Sequence, residues 1–277
     1  MWLNGEYIGE KEATLFNNNR GFLYGDGFFE TMLWKKDKIL FSSDHEDRIR
    51  HSLQLLGMNN EGVPSLEETV RLINARFTGK QLPDLARIRM TLYRDAEGTY
   101  APDGNRTSWS LQIKELAGEN IDAQQGIRAG IVENMFKAPG KYSGIKSLSC
   151  QLYVMAAIEA KSNGCDDGLI LNCAGHIIES THSNIFVIRN NTIKTPGLAE
   201  GCIAGVCRRV LIRIIKQNGI SFTEGAVTRE DIAEADEIIL TNAIRGVRWI
   251  GEIDSRRYGK VMTERLQRLL EEAWIMC

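Results

Sequence analysis

The stretch KSLSCQLYVMAAIEAKSNGCDDGLILNCAGHIIESTHSN, residues 146–184, decides how this chain is read. Lys146 stands just ahead of a helical run, Leu152 to Asn163, which is rich in alanine and stopped by Gly164. Two strand-like segments follow, Gly168 to Leu171 and His176 to Glu179, joined as a hairpin across Cys173-Ala174-Gly175. Glu179 closes the second, 33 residues after the lysine (179 − 146). Alternation along GHIIES sets Ile178 on one face and Ile177 with Glu179 on the other. A lone lysine or glutamate is most often a solvated surface charge. Their order and spacing, and the segments around them, set these two apart.

Downstream, Asn184 to Ile188 and Thr192 to Lys194 read as a hairpin across Asn190-Asn191, and Ile203 to Asn218 as an amphipathic helix stopped by Gly219. A short helix near 229–233 precedes a strand, Glu237 to Thr241. Upstream, Gly126 to Glu133 is a strand, followed by a polar stretch, Lys137 to Gly144. The N-terminal part opens with a hairpin at Asn4-Gly5 and has a second at Lys36-Asp37, between Phe28 to Trp34 and Lys38 to Phe41. Ser43 to Glu46 reads as a capping box for a helix ending at Leu56, and Ser65 to Glu68 as another for a helix over about 66–79. Leu85 to Arg94 alternates as a strand, and Trp109 to Lys114 is another. The pattern breaks around Leu116 to Asn120, so the boundary is placed there: residues 1–118 and 119–277, an α+β chain of two domains.

Composition narrows the class. The chain has 277 residues, 43% of them hydrophobic, enough for a substantial core in one large domain or two ordinary ones. Its 34 basic and 36 acidic residues leave a charge of −2, with no basic stripe for nucleic acid. The N-terminus lacks an apolar signal core, and there is no run of about 18 apolar residues, so a cytoplasmic protein without a membrane span is expected. Six scattered cysteines without a C-x-x-C pair read as reduced thiols, and no metal site is expected.

A lysine able to form an imine and a carboxylate able to face a ring nitrogen are the minimum for pyridoxal 5'-phosphate (PLP) chemistry. Such a site also needs a phosphate anchor and a proton carrier, and a buried lysine can be the carrier once released. Gly201-Cys202-Ile203-Ala204-Gly205 enters a helix, where free N–H groups and the helix dipole attract an anion. Arg48 lies on a helix, as a surface ion pair or a phosphate ligand, and Thr241 ends an apolar strand with a hydroxyl to offer. Gly25-Asp26-Gly27 resembles the start of a dinucleotide fingerprint, but the third glycine position is Glu30 and a strand follows, which excludes that reading.

On these residues the chain resembles the class IV aminotransferase family, the fold-type IV PLP enzymes. That family includes branched-chain and D-amino-acid aminotransferases and 4-amino-4-deoxychorismate lyase. The segments that match are NNNRGFLYGDGFFETM (17–32), HEDRIRHSLQLLG (45–57), IKSLSCQLYVMAAIEA (145–160), IIESTHSNIFVI (177–188), TPGLAEGCIAGVCR (195–208) and TNAIRGV (241–247), in the family's order. The resemblance implies a homodimer with a small α/β domain, a larger pseudo-barrel domain and PLP in the cleft between them. It further implies Lys146 as the Schiff-base lysine and Glu179 as the partner of the pyridinium nitrogen. Arg48, the backbone of Ile203-Ala204 and Thr241 with Asn242 are implied as cofactor holders.

The shared core leaves the reaction open. TNAIRGV is more similar to the lyase's Asn-Ala segment than to the small-residue turn of branched-chain aminotransferases, and Gln151 stands where those enzymes usually carry tyrosine. The lyase reading, elimination of pyruvate giving 4-aminobenzoate for folate biosynthesis, is therefore set first. Transamination between a D- or branched-chain amino acid and a 2-oxo acid stands as the alternative. Arg89, Arg94, Glu30 and Arg245 are the candidates for contact with an amino-acid-like substrate, the arginines through bidentate pairs with a carboxylate.

Overall fold

A computed structural model describes residues 2–7, 19–77, 83–116 and 126–276. The chain divides into two compact units, one of Met1–Glu119 and Ile145–Ser149, the other of Asn120–Gly144 and Cys150–Cys277. The expected boundary at 118/119 lies outside the described residues. The five residues around Lys146, placed by the sequence reading in the second domain, belong to the first unit. They join it by main-chain bonds: the Phe29 N–H donates to Lys146 O at 2.9 Å, the Leu148 N–H donates to Gly27 O at 3.0 Å, and Ile145 is buried in its core.

The first unit contains β1 (Trp2–Leu3), β2 (Glu6–Tyr7), α1 (Arg20–Tyr24), β3 (Gly27–Lys35), β4 (Lys38–Ile39), α2 (Ser42–Leu56), α3 (Leu66–Arg76), β5 (Leu85–Arg94) and β6 (Thr107–Glu115). Its strands form an antiparallel sheet in the order β2-β1-β6-β5-β3-β4. The alternation read from β5 holds, with Ile88, Met90 and Leu92 buried beside Met32, Trp34 and Leu53. Two-residue hairpins form at Asn4-Gly5 and Lys36-Asp37, all four at positive φ, as type I′ turns require. The Ser65–Glu68 capping box forms. The Ser43 box does not: α2 starts two residues earlier, from Phe41 at φ 53°, with no side-chain cap. Gly25-Asp26-Gly27 is structural. Gly25 ends α1 at φ 65°, and a Cβ on Gly27 would collide with the backbone of Leu92 and Tyr93.

The second unit contains β7 (Ile127–Lys137), α4 (Gln151–Ser162), β8 (Asp167–Asn172), β9 (Ile177–Ser180), β10 (Asn184–Arg189), β11 (Thr192–Pro196), α5 (Val206–Gln217), β12 (Phe222–Gly225), α6 (Arg229–Glu234), β13 (Glu237–Asn242), β14 (Gly246–Ile253), β15 (Arg256–Arg257) and α7 (Val261–Met276). The sheet runs β12-β11-β10-β13-β14-β7-β8-β9, and β9 pairs back onto β10. Six strands thereby close on themselves, the barrel-like arrangement the resemblance implied. The ring is mixed, since β14–β7 and β7–β8 are parallel and its other pairs antiparallel. Closure removes the exposed edge that β9 would otherwise present. Its core is aliphatic: Leu169, Ile177, Ile185, Ile238, Leu240 and Ile250. No helix among the described residues is long and apolar enough to cross a membrane.

Candidate active site

The ring closes at Glu179. This residue pairs with Asn184 across β9–β10, and Asn184 pairs with Thr241 across β10–β13. Residues opposed across a ladder share a face, and neighbouring strands lie about 4.8 Å apart. Glu179, Asn184 and Thr241 therefore stand in one transverse row, its ends about 10 Å apart. All three are buried, Glu179 at 2% exposure and Thr241 at 1%.

Over this row runs the segment leading into α5. The Ile203 N–H donates to Glu179 Oε2 at 2.9 Å, and Ile203 O accepts from Asn184 Nδ2 at 2.8 Å. The Ala204 N–H is bonded to Gly144 O at 3.0 Å. The two backbone groups expected to meet a phosphate thus have protein acceptors. The reason is the helix start, which lies at Val206 with Gly205 as N-cap rather than at Ile203; a short 3₁₀ turn, Leu198–Glu200, comes before it. The anion-binding argument applies to the true helix N-terminus. There the Val206 and Cys207 N–H groups have no acceptor among the described residues, and Gly205 has no side chain to cap them. A Cβ on Gly205 would collide with the Asn184 amide oxygen. Thr241 Oγ1 is buried and has no hydrogen-bond partner among the described residues. A buried hydroxyl left unpaired costs about 1–3 kcal/mol, a cost that an acceptor or donor on a ligand would remove.

Glu179 has two further partners that the sequence reading missed. Lys137 Nζ donates to its Oε1 at 2.9 Å and to the Tyr153 hydroxyl at 2.7 Å, and the Tyr153 hydroxyl donates to the same Oε1 at 2.7 Å. Lys137 ends β7, and Tyr153 lies in the first turn of α4. Burial first, then the Glu179 charge, pushes the Tyr153 pKa well up, so the phenol keeps its proton and serves as a donor. The only hint in the sequence was a lysine at the edge of a Gly- and Lys-rich stretch, which looks like any surface lysine.

Asn242 ends β13 and shapes the turn after it: its Oδ1 accepts from the Ile244 and Arg245 N–H groups, and its Nδ2 donates to Ser183 Oγ at 3.0 Å. Arg245 is exposed in that turn. Cys202 and Cys207 are buried thiols pushed up by burial, to about 11 and about 12, which makes them poor nucleophiles.

In the first unit, Lys146 is half-buried with its Nζ 4.7 Å from the centre of the Phe29 ring. Arg48 grips Glu30: its Nε donates to Oε2 at 3.0 Å and its Nη2 to Oε1, where His45 Nδ1 also lies 2.7 Å away. Glu30, a candidate for substrate contact, is thus 1% exposed and bound by Arg48 and His45. Arg94 is likewise spent on the scaffold: its guanidinium reaches Asp26, Asn105 and the carbonyls of Leu56 and Gly57, at 7% exposure. An arginine with these partners has no fork left for a substrate carboxylate. Arg89 stacks 3.7 Å over the Phe29 ring.

The model of the Amino-transferase class IV family matches residues 27–253, and the chain belongs to that family. It is similar to both of the family's chemistries. A Methanocaldococcus jannaschii protein with a provisional branched-chain-amino-acid aminotransferase name is 29% identical over 98% of this chain and 94% of its own length. The aminodeoxychorismate lyase of Vibrio harveyi is 25% identical over 89% of each chain. The crystal structure of a Thermoproteus uzoniensis branched-chain aminotransferase with norvaline shares the fold, with a TM-score of 0.86 at 23% identity over 98% of this chain and 93% of that one. The protein is an enzyme, and PLP is the cofactor of its family. The second unit suits that cofactor: the unpaired Thr241 hydroxyl and the uncapped start of α5 fit a phosphate, and a buried carboxylate stands at the other end of the same row.

Proposed function

We propose that this enzyme is of the 4-amino-4-deoxychorismate lyase type, eliminating pyruvate to leave 4-aminobenzoate. When bound, PLP supplies a carbonyl that condenses with an amine and a ring that accepts the electron pair left at the substrate carbon. Lys146 supplies the protein's amine and, once released, carries the proton to and from that carbon. Glu179 sets a negative charge against the ring nitrogen. Thr241 Oγ1 and the N–H groups of Val206 and Cys207 would receive the phosphate, while Arg48, implied as a holder by the resemblance, is engaged by Glu30.

The observation that carries the lyase reading is a pair of arginines beside the Asn242 turn. Arg248 is half-buried on β14, and burial first, then the neighbouring charge of Arg245, lowers its pKa. Two neighbouring guanidinium groups favour an anion with two carboxylates, which the lyase substrate and glutamate carry and alanine or leucine does not. The holoenzyme given aminodeoxychorismate should release pyruvate, read by a coupled dehydrogenase. Arg245→Ala should raise KM for that substrate strongly and for leucine little. Absence of pyruvate, together with conversion of the cofactor to its amine form by D-alanine, L-leucine or L-glutamate, would favour transamination, which the 29% identical relative supports.

A homodimer belongs to the same reading. Val154, Met155 and Ile158 are exposed on α4, an apolar face that a second copy would cover. Light scattering should give twice the mass of the chain, and a monomer at working concentration would overturn this part.

A further inference from the structure

We infer that Lys137 is the positioning residue of this site, fixing the Glu179 carboxylate by ion pair and hydrogen bond so that it can face the cofactor's ring nitrogen; this rests on the PLP reading above. Glu179 is almost completely removed from water, and a carboxylate so placed needs a counter-charge and a full set of donors. Lys137 makes the only ion pair of Glu179 among the described residues. It also reaches the Tyr153 hydroxyl, so ammonium, phenol and carboxylate oxygen form a closed triangle with sides of 2.9, 2.7 and 2.7 Å.

The triangle takes up Oε1 alone. Oε2 is held by one peptide N–H, from Ile203. The groups that hold Oε1 come from two elements, β7 and α4, while the group on Oε2 comes from the segment that also leads to the proposed phosphate seat. Lys137 and Tyr153 therefore set where the charge sits in the row. The other ionisable groups around the cluster do not replace Lys137. Cys202 and Cys150 are thiols, and Asp167 on β8 is bonded instead to Ser180 and Thr181.

The inference requires that Lys137 act through Glu179. Apoenzyme titrated with PLP, with binding followed by the quenching of intrinsic fluorescence, gives dissociation constants for the wild type, Lys137→Met, Lys137→Arg, Glu179→Gln and the Lys137→Met/Glu179→Gln pair. Lys137→Met should weaken PLP binding about tenfold, the size typical when a group orienting a ligand-binding residue is removed. Lys137→Arg should stay within about threefold of wild type, because it keeps both charge and donors. In the Glu179→Gln background the same Lys137→Met change should cost less than about twofold, since an amide needs no counter-charge. An equal loss in both backgrounds, or an unchanged constant in Lys137→Met, would overturn the inference while leaving the PLP reading intact. If Lys137→Met does not fold, the comparison is made with Lys137→Gln. A wild type that binds no PLP, or binding that leaves Lys146 unmodified by borohydride, would overturn the reading itself and this inference with it.

Discussion

Two buried glutamates, one in each unit, show how similar surroundings serve different ends. Glu30 is 1% exposed and Glu179 2%, and each pairs with one cation and one ring-bearing side chain. For Glu30 the cation is Arg48, whose planar fork takes both carboxylate oxygens while His45 adds a third contact. Burial pushes the Glu30 carboxyl up, but Arg48 and His45 outweigh it and bring it down to about 2. For Glu179 the cation is a lysine, a compact charge on one oxygen, and the second oxygen holds only a peptide N–H. A carboxylate with both oxygens in a guanidinium fork is a clasp. One whose second oxygen accepts a single peptide N–H has a lone pair left on that oxygen. The sheets differ in the same sense. The first unit's is open and antiparallel, while the second closes on itself, and its closing pair is Glu179 with Asn184.

The largest effect belongs to the proposed amine. Lys146→Ala should abolish the visible band of the lysine-linked cofactor and lower turnover by about 10³-fold or more, the scale of a lost acid–base group. An intact band would remove Lys146 from its role. Next comes the clasp. The folded-state pKa of Glu30 lies below its ordinary 4.5, so its ionised form stabilises the fold fully above about pH 4.5, and that contribution fades as pH falls toward 2. It amounts to at most about 3 kcal/mol. Glu30→Gln should lower Tm at pH 7 and flatten the decline of Tm between pH 4.5 and 2; an unchanged slope would show that Glu30 is not the group responsible.

A smaller effect is expected at Gly205, where an added methyl meets the Asn184 amide. Gly205→Ala should cost about 1–3 kcal/mol, the usual penalty of overpacking, and weaken PLP binding at the same time. Calorimetry with and without cofactor separates the two, and a variant as stable as wild type would show that the α5 entrance yields easily. The smallest effect should come from Thr241→Val. Removing an unpaired buried hydroxyl should leave the apoenzyme as stable as wild type or slightly more so, yet lower PLP affinity by about 1 kcal/mol. A loss of apoenzyme stability instead would mean that the hydroxyl has a structural partner.

Local signals made much of the fold legible. The type I′ turns at Asn4-Gly5, Lys36-Asp37 and Asn190-Asn191, the Ser65 box and the alternation of β5 rest on chemistry within a few residues, and all recur in the structure. The reading was poorer where the deciding contacts are distant in sequence. The Ser43 box matched a pattern, yet Phe41 adopts the left-handed conformation and starts the helix earlier. The apolar periodicity of Ile203 ran three residues ahead of the real helix, because Ile203 is drawn to Glu179 and Asn184. Arg94 is a candidate for the substrate carboxylate by sequence, but its guanidinium is taken up by Asp26, Asn105 and two carbonyls.

Along one dimension, then, spacing and turn chemistry specified most of the elements, and the resemblance carried by the ordered motifs pointed to the family and its cofactor. Only the tertiary structure decided which strand closes the sheet, and so that Glu179, Asn184 and Thr241 share a row. It also decided that Lys137 and Tyr153, 42 and 26 residues away in sequence, are the groups that hold Glu179. Strand pairing and the partners of a buried charge depend on closure of the whole unit, where the cost of leaving buried charges and ladder groups unpaired selects among arrangements that the sequence leaves equally open.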